Sequence, residues 1–204
     1  MPGRNVVKQY SAEQYYHVYS RGVAKQLIFK DAQDYGYFLN LFKRYLSLKP
    51  TAHKLHYDYP CYHARIELVA FCLMPNHIHM LIFQHDEQAM ADLMRSLLTS
   101  YSVYFNKKYG RVGPVFQSRY KASLILERSY LEHVTRYIHL NPSDWRGYTY
   151  SSLPYYKQER HAQWLNPTSI LTMFTDISDY LKFLEDYESQ KYMLEKTKQT
   201  LANY

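Results

Sequence analysis

Two histidines stand two residues apart in an otherwise apolar run, CLMPNHIHML, Cys72 to Leu81. On a strand, His77 and His79 point the same way, about 6–7 Å apart along the backbone. That spacing can chelate one divalent ion, although a hydrogen-bonded pair of strand histidines would look the same. A second chemical stretch is YLEHVTRYIHLNP, Tyr130 to Pro142. On a helix, His133, Tyr137 and Asn141 fall at i, i+4 and i+8 on one face, while Arg136 and His139 point elsewhere. That face offers a tyrosine hydroxyl and an amide oxygen able to serve as a third, hard ligand. The plainer reading is a rim tyrosine and a helix stop. A competing set is Cys61 and His63 with His77 and His79, a four-ligand zinc site at a spacing no usual finger has.

These residues need elements to hold them. YYHVYSR, Tyr15 to Arg21, has strand composition and is broken by Gly22. Apolar positions recur at helical spacing from Asp31, an N-cap candidate, to about Leu48, with Pro50 as the stop. ARIELVAFCL (64–73) reads as a buried strand. Pro75-Asn76 is a turn signal and HIHMLIF the second strand of an antiparallel hairpin. On that strand His77, His79, Leu81 and Phe83 share one face, and Ile78, Met80 and Ile82 the other. The spacing predicts a helix from Asp86 to Tyr109, closed by KKYG. GPVFQSRYKASLILE (113–127) reads as an extended strand or a bent pair, and a third helix runs from Ser129 to Leu140. Strand, helix, strand, strand, helix, strand, helix is the order of an α+β, ferredoxin-like antiparallel sheet with packed helices. Residues 1–13 read as a tail, 14–142 as the main domain and 143–204 as a short helical appendage.

The bulk composition narrows the setting. With 47% hydrophobic residues among 204, the chain can bury a core. It has no apolar run of about 18 residues, so no membrane span is expected. The N-terminus lacks an apolar signal core. Two cysteines, Cys61 and Cys72, with no CxxC argue for a reducing compartment, the cytoplasm. A net charge of +7 suits a polyanionic partner, and 24 tyrosines include some able to stack on unpaired bases.

Four segments in this order resemble one family. CLMPNHIHMLI looks like the His-hydrophobic-His motif of the single-tyrosine HUH transposases, and TRYIHLNP like their nucleophile helix. YHVYSRGVAKQLIF and GPVFQSRYKASLI agree as well. The resemblance covers roughly Tyr15 to Pro142 and is nearest to the REP-associated tyrosine transposases, relatives of the insertion-sequence-200-like group. It weakens through YTYSSLPYYK and WLNPTSIL. It implies metal-dependent cleavage and rejoining of single-stranded DNA through a 5′-phosphotyrosine. Tyr137 would be the nucleophile, and His77, His79 and Asn141 would hold Mg²⁺ or Mn²⁺. The partner would be single-stranded or hairpin DNA, contacted by Arg21, Lys25, Arg119, Tyr120 and Lys121. Shorter relatives build their sites across a dimer. The tailed REP-associated group implies a monomer. A hairpin-binding protein without turnover is the alternative. An RNA-binding module on the same sheet ranks lower, because its aromatic sheet motif is missing.

Overall fold

Tyr15, Tyr16, Val18 and Tyr19 suit β1 (Gln14–Arg21) to a strand, and the computed structural model, which describes residues 10–49 and 58–187, makes it an inner strand. α1 (Ala32–Leu46) follows, capped as expected by Asp31, whose carboxylate accepts from the Asp34 N–H at 3.1 Å. Pro50 and residues 51–57 of the loop after it lie outside the described residues, as do 1–9 of the tail and 188–204 of the appendage. β2 (Ile66–Met74) and β3 (His77–Gln84) form the expected hairpin about Pro75-Asn76. α2 (Ala89–Tyr109) ends on left-handed Gly110. It starts three residues later than expected, because Asp86 accepts twice from Arg65 and once from the Gln88 N–H. The 113–127 stretch gives a single bridge from Phe116 to Gly22 and then β4 (Lys121–Ile125). A 3₁₀ turn (Arg128–Tyr130) leads into α3 (Leu131–His139).

The sheet order is β2-β3-β1-β4 with every pairing antiparallel, which is the ferredoxin-like arrangement. Period-two alternation sorts the core into two. Val18, Ile78, Met80 and Ile82 face α1 and α2, while Leu81 and Ile125 face α3 and the segments after it. A bulge between Leu68 and Ala70 re-aims β2, so Val69 and Ala70 both join the second core. β2 is an edge strand, and residues 150–152 cover that edge: Leu73 donates to the Tyr150 carbonyl and Ser152 to the Phe71 carbonyl, both at 2.9 Å. Short helices α4 (Leu153–Tyr156) and α5 (Thr168–Leu171), and α6 over residues 177–187, complete this second layer. Among the described residues no helix is long and apolar enough to cross a membrane.

One ionic cluster joins the start of α1 to the end of α2. Asp34 is fully buried and accepts from Lys108 Nζ at 2.8 Å, the Lys30 N–H at 2.8 Å, Tyr109 at 2.8 Å and Tyr104 at 3.0 Å. Burial alone would raise the Asp34 pKa, but these donors outweigh it and hold the carboxyl below the ordinary range. A depressed folded pKa gives stability that is present above the ordinary value of about 3.9 and lost as pH falls toward the folded one. Asp34→Asn is therefore expected to cost about 1–3 kcal/mol at pH 7 and to flatten the acid limb of urea stability below about pH 4. An unchanged acid limb in that variant would show that Asp34 is not its source.

Candidate active site

The sheet face turned toward α3 carries the chemistry. β1 is hydrogen-bonded to both β3 and β4, with Arg21 opposite His77, Tyr19 opposite His79 and also opposite Lys121, and His17 opposite Ser123. Since each strand alternates, His17, Tyr19 and Arg21 share a face with His77, His79, Lys121 and Ser123. α3 packs Leu131, Val134 and Ile138 into the second core and brings its C-terminal end over these strands. One pocket is lined by His17, Tyr19, Arg21, His77, His79, Lys121, Ser123, Tyr137 and Asn141. The residues expected from sequence to hold metal and to attack phosphate thus meet within one chain.

Each imidazole has a defined partner. The Lys25 carbonyl accepts from Asn76 Nδ2 at 3.3 Å, which turns Asn76 Oδ1 toward His77 Nδ1 at 2.6 Å. Nδ1 therefore carries the ring proton and leaves Nε2 a lone pair. That lone pair faces Asn141 Oδ1, itself an acceptor, 3.0 Å away. Two acceptors this close call for a cation between them, or for the Asn141 amide turned over. His79 Nδ1 lies 3.0 Å from His17 Nε2, with the rings nearly parallel. His79 Nε2 has no hydrogen-bond partner among the described residues. Burial, then the neighbouring His17, His77 and Arg21, push His79 down to about 2, and burial also lowers His77 and His17. All three rings are held neutral, the form that ligates metal. Two imidazole nitrogens and one amide oxygen are a donor set that fits a divalent ion of the Mn²⁺ or Mg²⁺ kind, with manganese the better match to nitrogen.

Tyr137 stands edge-on to both paired rings, its centroid 5.3 Å from His79 and 5.8 Å from His17, and is 50% exposed. Tyr19 packs on His79 at 4.9 Å and carries the Arg21 guanidinium at 5.5 Å. Arg21 Nε is buried without a partner among the described residues.

The other expectations divide. Asn141 reaches the pocket, but not as part of the helix: α3 ends at His139, and a turn in which the Asn141 N–H donates to the Ile138 carbonyl at 3.4 Å brings it in. His133 does not share the pocket. Its Nδ1 accepts from Arg136 at 2.9 Å and its ring lies near Phe183 of α6. The zinc alternative is not assembled: Cys61 donates to the Ser47 carbonyl at the end of α1, and among the described residues no group of three or more His, Cys, Asp or Glu could hold a metal. Of the five expected DNA contacts, Arg21 and Lys121 line the pocket. Arg119 and Tyr120 line a groove beside α2 that Lys121 also borders, and the Lys25 side chain is exposed outside both. His17, Tyr19 and Ser123 complete the pocket without having been singled out. Their alternation in YYHVYSR was readable, but not which strand lay alongside.

Comparison with known proteins agrees with the sequence resemblance. Residues 48–141 match the model of the IS200-like transposase family. A search of the curated proteins finds no match. Among solved structures, the chain is similar to a REP-associated tyrosine transposase bound to a REP hairpin. The identity is 15%, over 74% of this chain and 82% of that one, with a TM-score of 0.51. At that identity the likeness speaks for the fold, and the family pattern speaks for the segment from 48 to 141.

Proposed function

From that family likeness and this pocket, we propose that the chain is a single-tyrosine transposase-type enzyme that cleaves and rejoins single-stranded or hairpin DNA. The observation that carries the reading is Tyr137, edge-on over the paired His79 and His17, where His77 Nε2 and Asn141 Oδ1 converge. A tyrosine hydroxyl, with a pKa of about 10 when free, is a poor nucleophile at pH 7 unless its attack is assisted. A divalent ion held by His77, His79 and Asn141 would neutralise charge developing on the phosphate. Arg21 and Lys121 stand at the same pocket to hold flanking phosphates. The Tyr137 oxygen bonds to phosphorus and its proton leaves to solvent, while the P–O3′ bond breaks and the departing O3′ takes a proton from solvent. The products are a 5′-phosphotyrosine and a free 3′-hydroxyl. One phosphodiester replaces another, so rejoining needs no ATP. Because one chain supplies every group, the reading includes assembly in cis by a monomer. Both described cysteines are free, which suits work in the cytoplasm.

The test is a covalent-adduct assay on a hairpin oligonucleotide with Mn²⁺, Mg²⁺ or chelator. A 3′-end label is expected to migrate with the protein on a denaturing gel, and a 5′-end label on a shorter free strand. Hairpin binding with no adduct under any ion would point instead to a DNA-binding protein without turnover.

His17 has a distinct part in this reading. For His79 to offer its Nε2 lone pair, Nδ1 must donate, and His17 Nε2 is the acceptor that fixes this tautomer. His17→Ala is expected to raise the Mn²⁺ dissociation constant about 10–100-fold in calorimetry, with His17→Gln recovering part of it. Equal affinities in all three proteins would remove His17 from the site.

A further inference from the structure

The turn that presents His77 is clamped by a strained loop, residues 22–29. The Gly22 N–H donates to the Asn76 carbonyl at 2.9 Å, and the Ile28 and Phe29 N–H groups donate to the Pro75 carbonyl at 2.8 and 3.0 Å. The buried Tyr101 hydroxyl anchors the loop in turn by donating to the Ile28 carbonyl. Ala24 and Lys25 both take left-handed backbone, with φ of 50° and 60°. Two such residues in a row are costly, and they persist only where the surroundings over-determine them. Gly22 has no room for a side chain, since a Cβ would stand 2.3 Å from the Gln26 carbonyl oxygen. What this loop delivers is the Lys25 carbonyl, to which Asn76 Nδ2 donates at 3.3 Å. The Asn76 amide is thereby held with Oδ1 toward His77 Nδ1, at 2.6 Å.

The ring proton of His77 thus has two amide oxygens on offer. On Nδ1 it goes to Asn76, and Nε2 keeps its lone pair. On Nε2 it would go to Asn141 Oδ1, 3.0 Å away, and Nε2 would have no lone pair left for a metal ion. That second form is a satisfied hydrogen bond, and it closes the site. We infer that Asn76, oriented by the Lys25 carbonyl, is a positioning residue that keeps the proton on Nδ1 and so holds His77 Nε2 open to a divalent ion. Asn76 is not among the residues lining the pocket, and it acts through His77. Its own orientation is set by the backbone of loop 22–29, so residues remote from the chemistry fix the state of a ligand. The inference rests on the proposed metal site and not on cleavage.

Long-range proton–nitrogen NMR on metal-free, histidine-labelled protein reads the tautomer directly, with the His77 ring assigned by its loss in His77→Gln. Calorimetry with Mn²⁺ reads the consequence. Wild type is expected to hold the proton on Nδ1. Asn76→Ala is expected to move it to Nε2 and to raise the Mn²⁺ dissociation constant about 10–100-fold, while the His17 and His79 signals stay in place. Asn76→Asp keeps an oxygen to accept from Nδ1–H and should recover most of that loss. Gly22→Ala displaces the loop without altering a side chain of the pocket, and it should shift the proton toward Nε2. The inference is overturned by a wild-type ring protonated on Nε2, or by Asn76→Ala with wild-type tautomer and affinity. An Asn76→Asp protein no better than Asn76→Ala, or a folded Gly22→Ala protein with the wild-type tautomer, overturns it as well. None of these readouts involves DNA. A missing adduct would remove the cleavage reading and leave the tautomer result standing, and an overturned tautomer would leave an observed adduct intact.

Discussion

Tyr137→Phe is expected to abolish the covalent adduct, a loss on the order of 10³-fold or more, set by the floor of the assay. The substitution removes one oxygen and little else. The ring keeps its edge-on contacts with His79 and His17, and the hydroxyl makes no hydrogen bond among the described residues. The side chain is half exposed, so stability should stay within about 0.5 kcal/mol of wild type. Hairpin affinity, carried by groups outside the Tyr137 hydroxyl, should change less than about twofold, well under 1 kcal/mol. A collapse of adduct with binding and stability intact therefore isolates the nucleophile. The control is Tyr19→Phe. Tyr19 lines the same pocket and packs closer to His79, at 4.9 Å, yet it rises from the floor of the sheet. It should retain the adduct. If Tyr137→Phe still forms adduct and Tyr19→Phe does not, the roles are exchanged and the proposed mechanism needs a different attacking direction.

The local periodicities carried most of the fold and about half of the site. Period two put His77 and His79 on one face before any partner was known, and period 3.6 separated Tyr137 from Arg136 and His139. The family pattern then joined strand to helix. Long-range pairing was out of reach. His17 stands 62 residues from His79, out of reach of spacing alone, because what brings it to His79 is β1 lying beside β3 rather than beside β2. His133 shares a helical face with Tyr137 but not the pocket, because helical spacing ranks faces without saying which neighbour each meets, and α6 takes that end of α3. Arg119 and Lys121 looked like one basic cluster. The strand begins at Lys121, which lines both hollows, whereas Arg119 lines only the groove beside α2.

His139→Ala is expected to lower stability by about 3–5 kcal/mol, or melting by about 10 °C, and to slow adduct formation more than it weakens hairpin binding. His139 is fully buried on the side of α3 away from the pocket, 2.6 Å from Tyr180 of α6 and 2.6 Å from Ser152. One proton arrangement satisfies every group. Tyr180 donates to Nδ1, Nε2–H donates to Ser152 Oγ, Ser152 donates to the Phe71 carbonyl and accepts the Phe71 N–H. The ring must be neutral for this, and burial lowers its pKa to about 3. Alanine leaves Tyr180 and Ser152 without that partner around a cavity, at roughly 1–3 kcal/mol each. Tyr180→Phe breaks one bond and leaves His139 Nδ1 without a donor, and should cost about 1–3 kcal/mol. The pH dependence is the sharper check. Below the ordinary value of about 6.5, the unfolded chain takes up a proton that the folded ring refuses, so wild type loses stability as pH falls from there toward 3, at up to about 1.4 kcal/mol per pH unit. The rings facing His139 are Tyr156 and Tyr180, both raised far above that window by burial, so neither contributes. The cost of His139→Ala should therefore shrink steadily between about pH 6.5 and pH 4. A cost that stays constant across that range would mean the ring is charged in the fold, and that the network joining α3 to Ser152 and Tyr180 is held together differently.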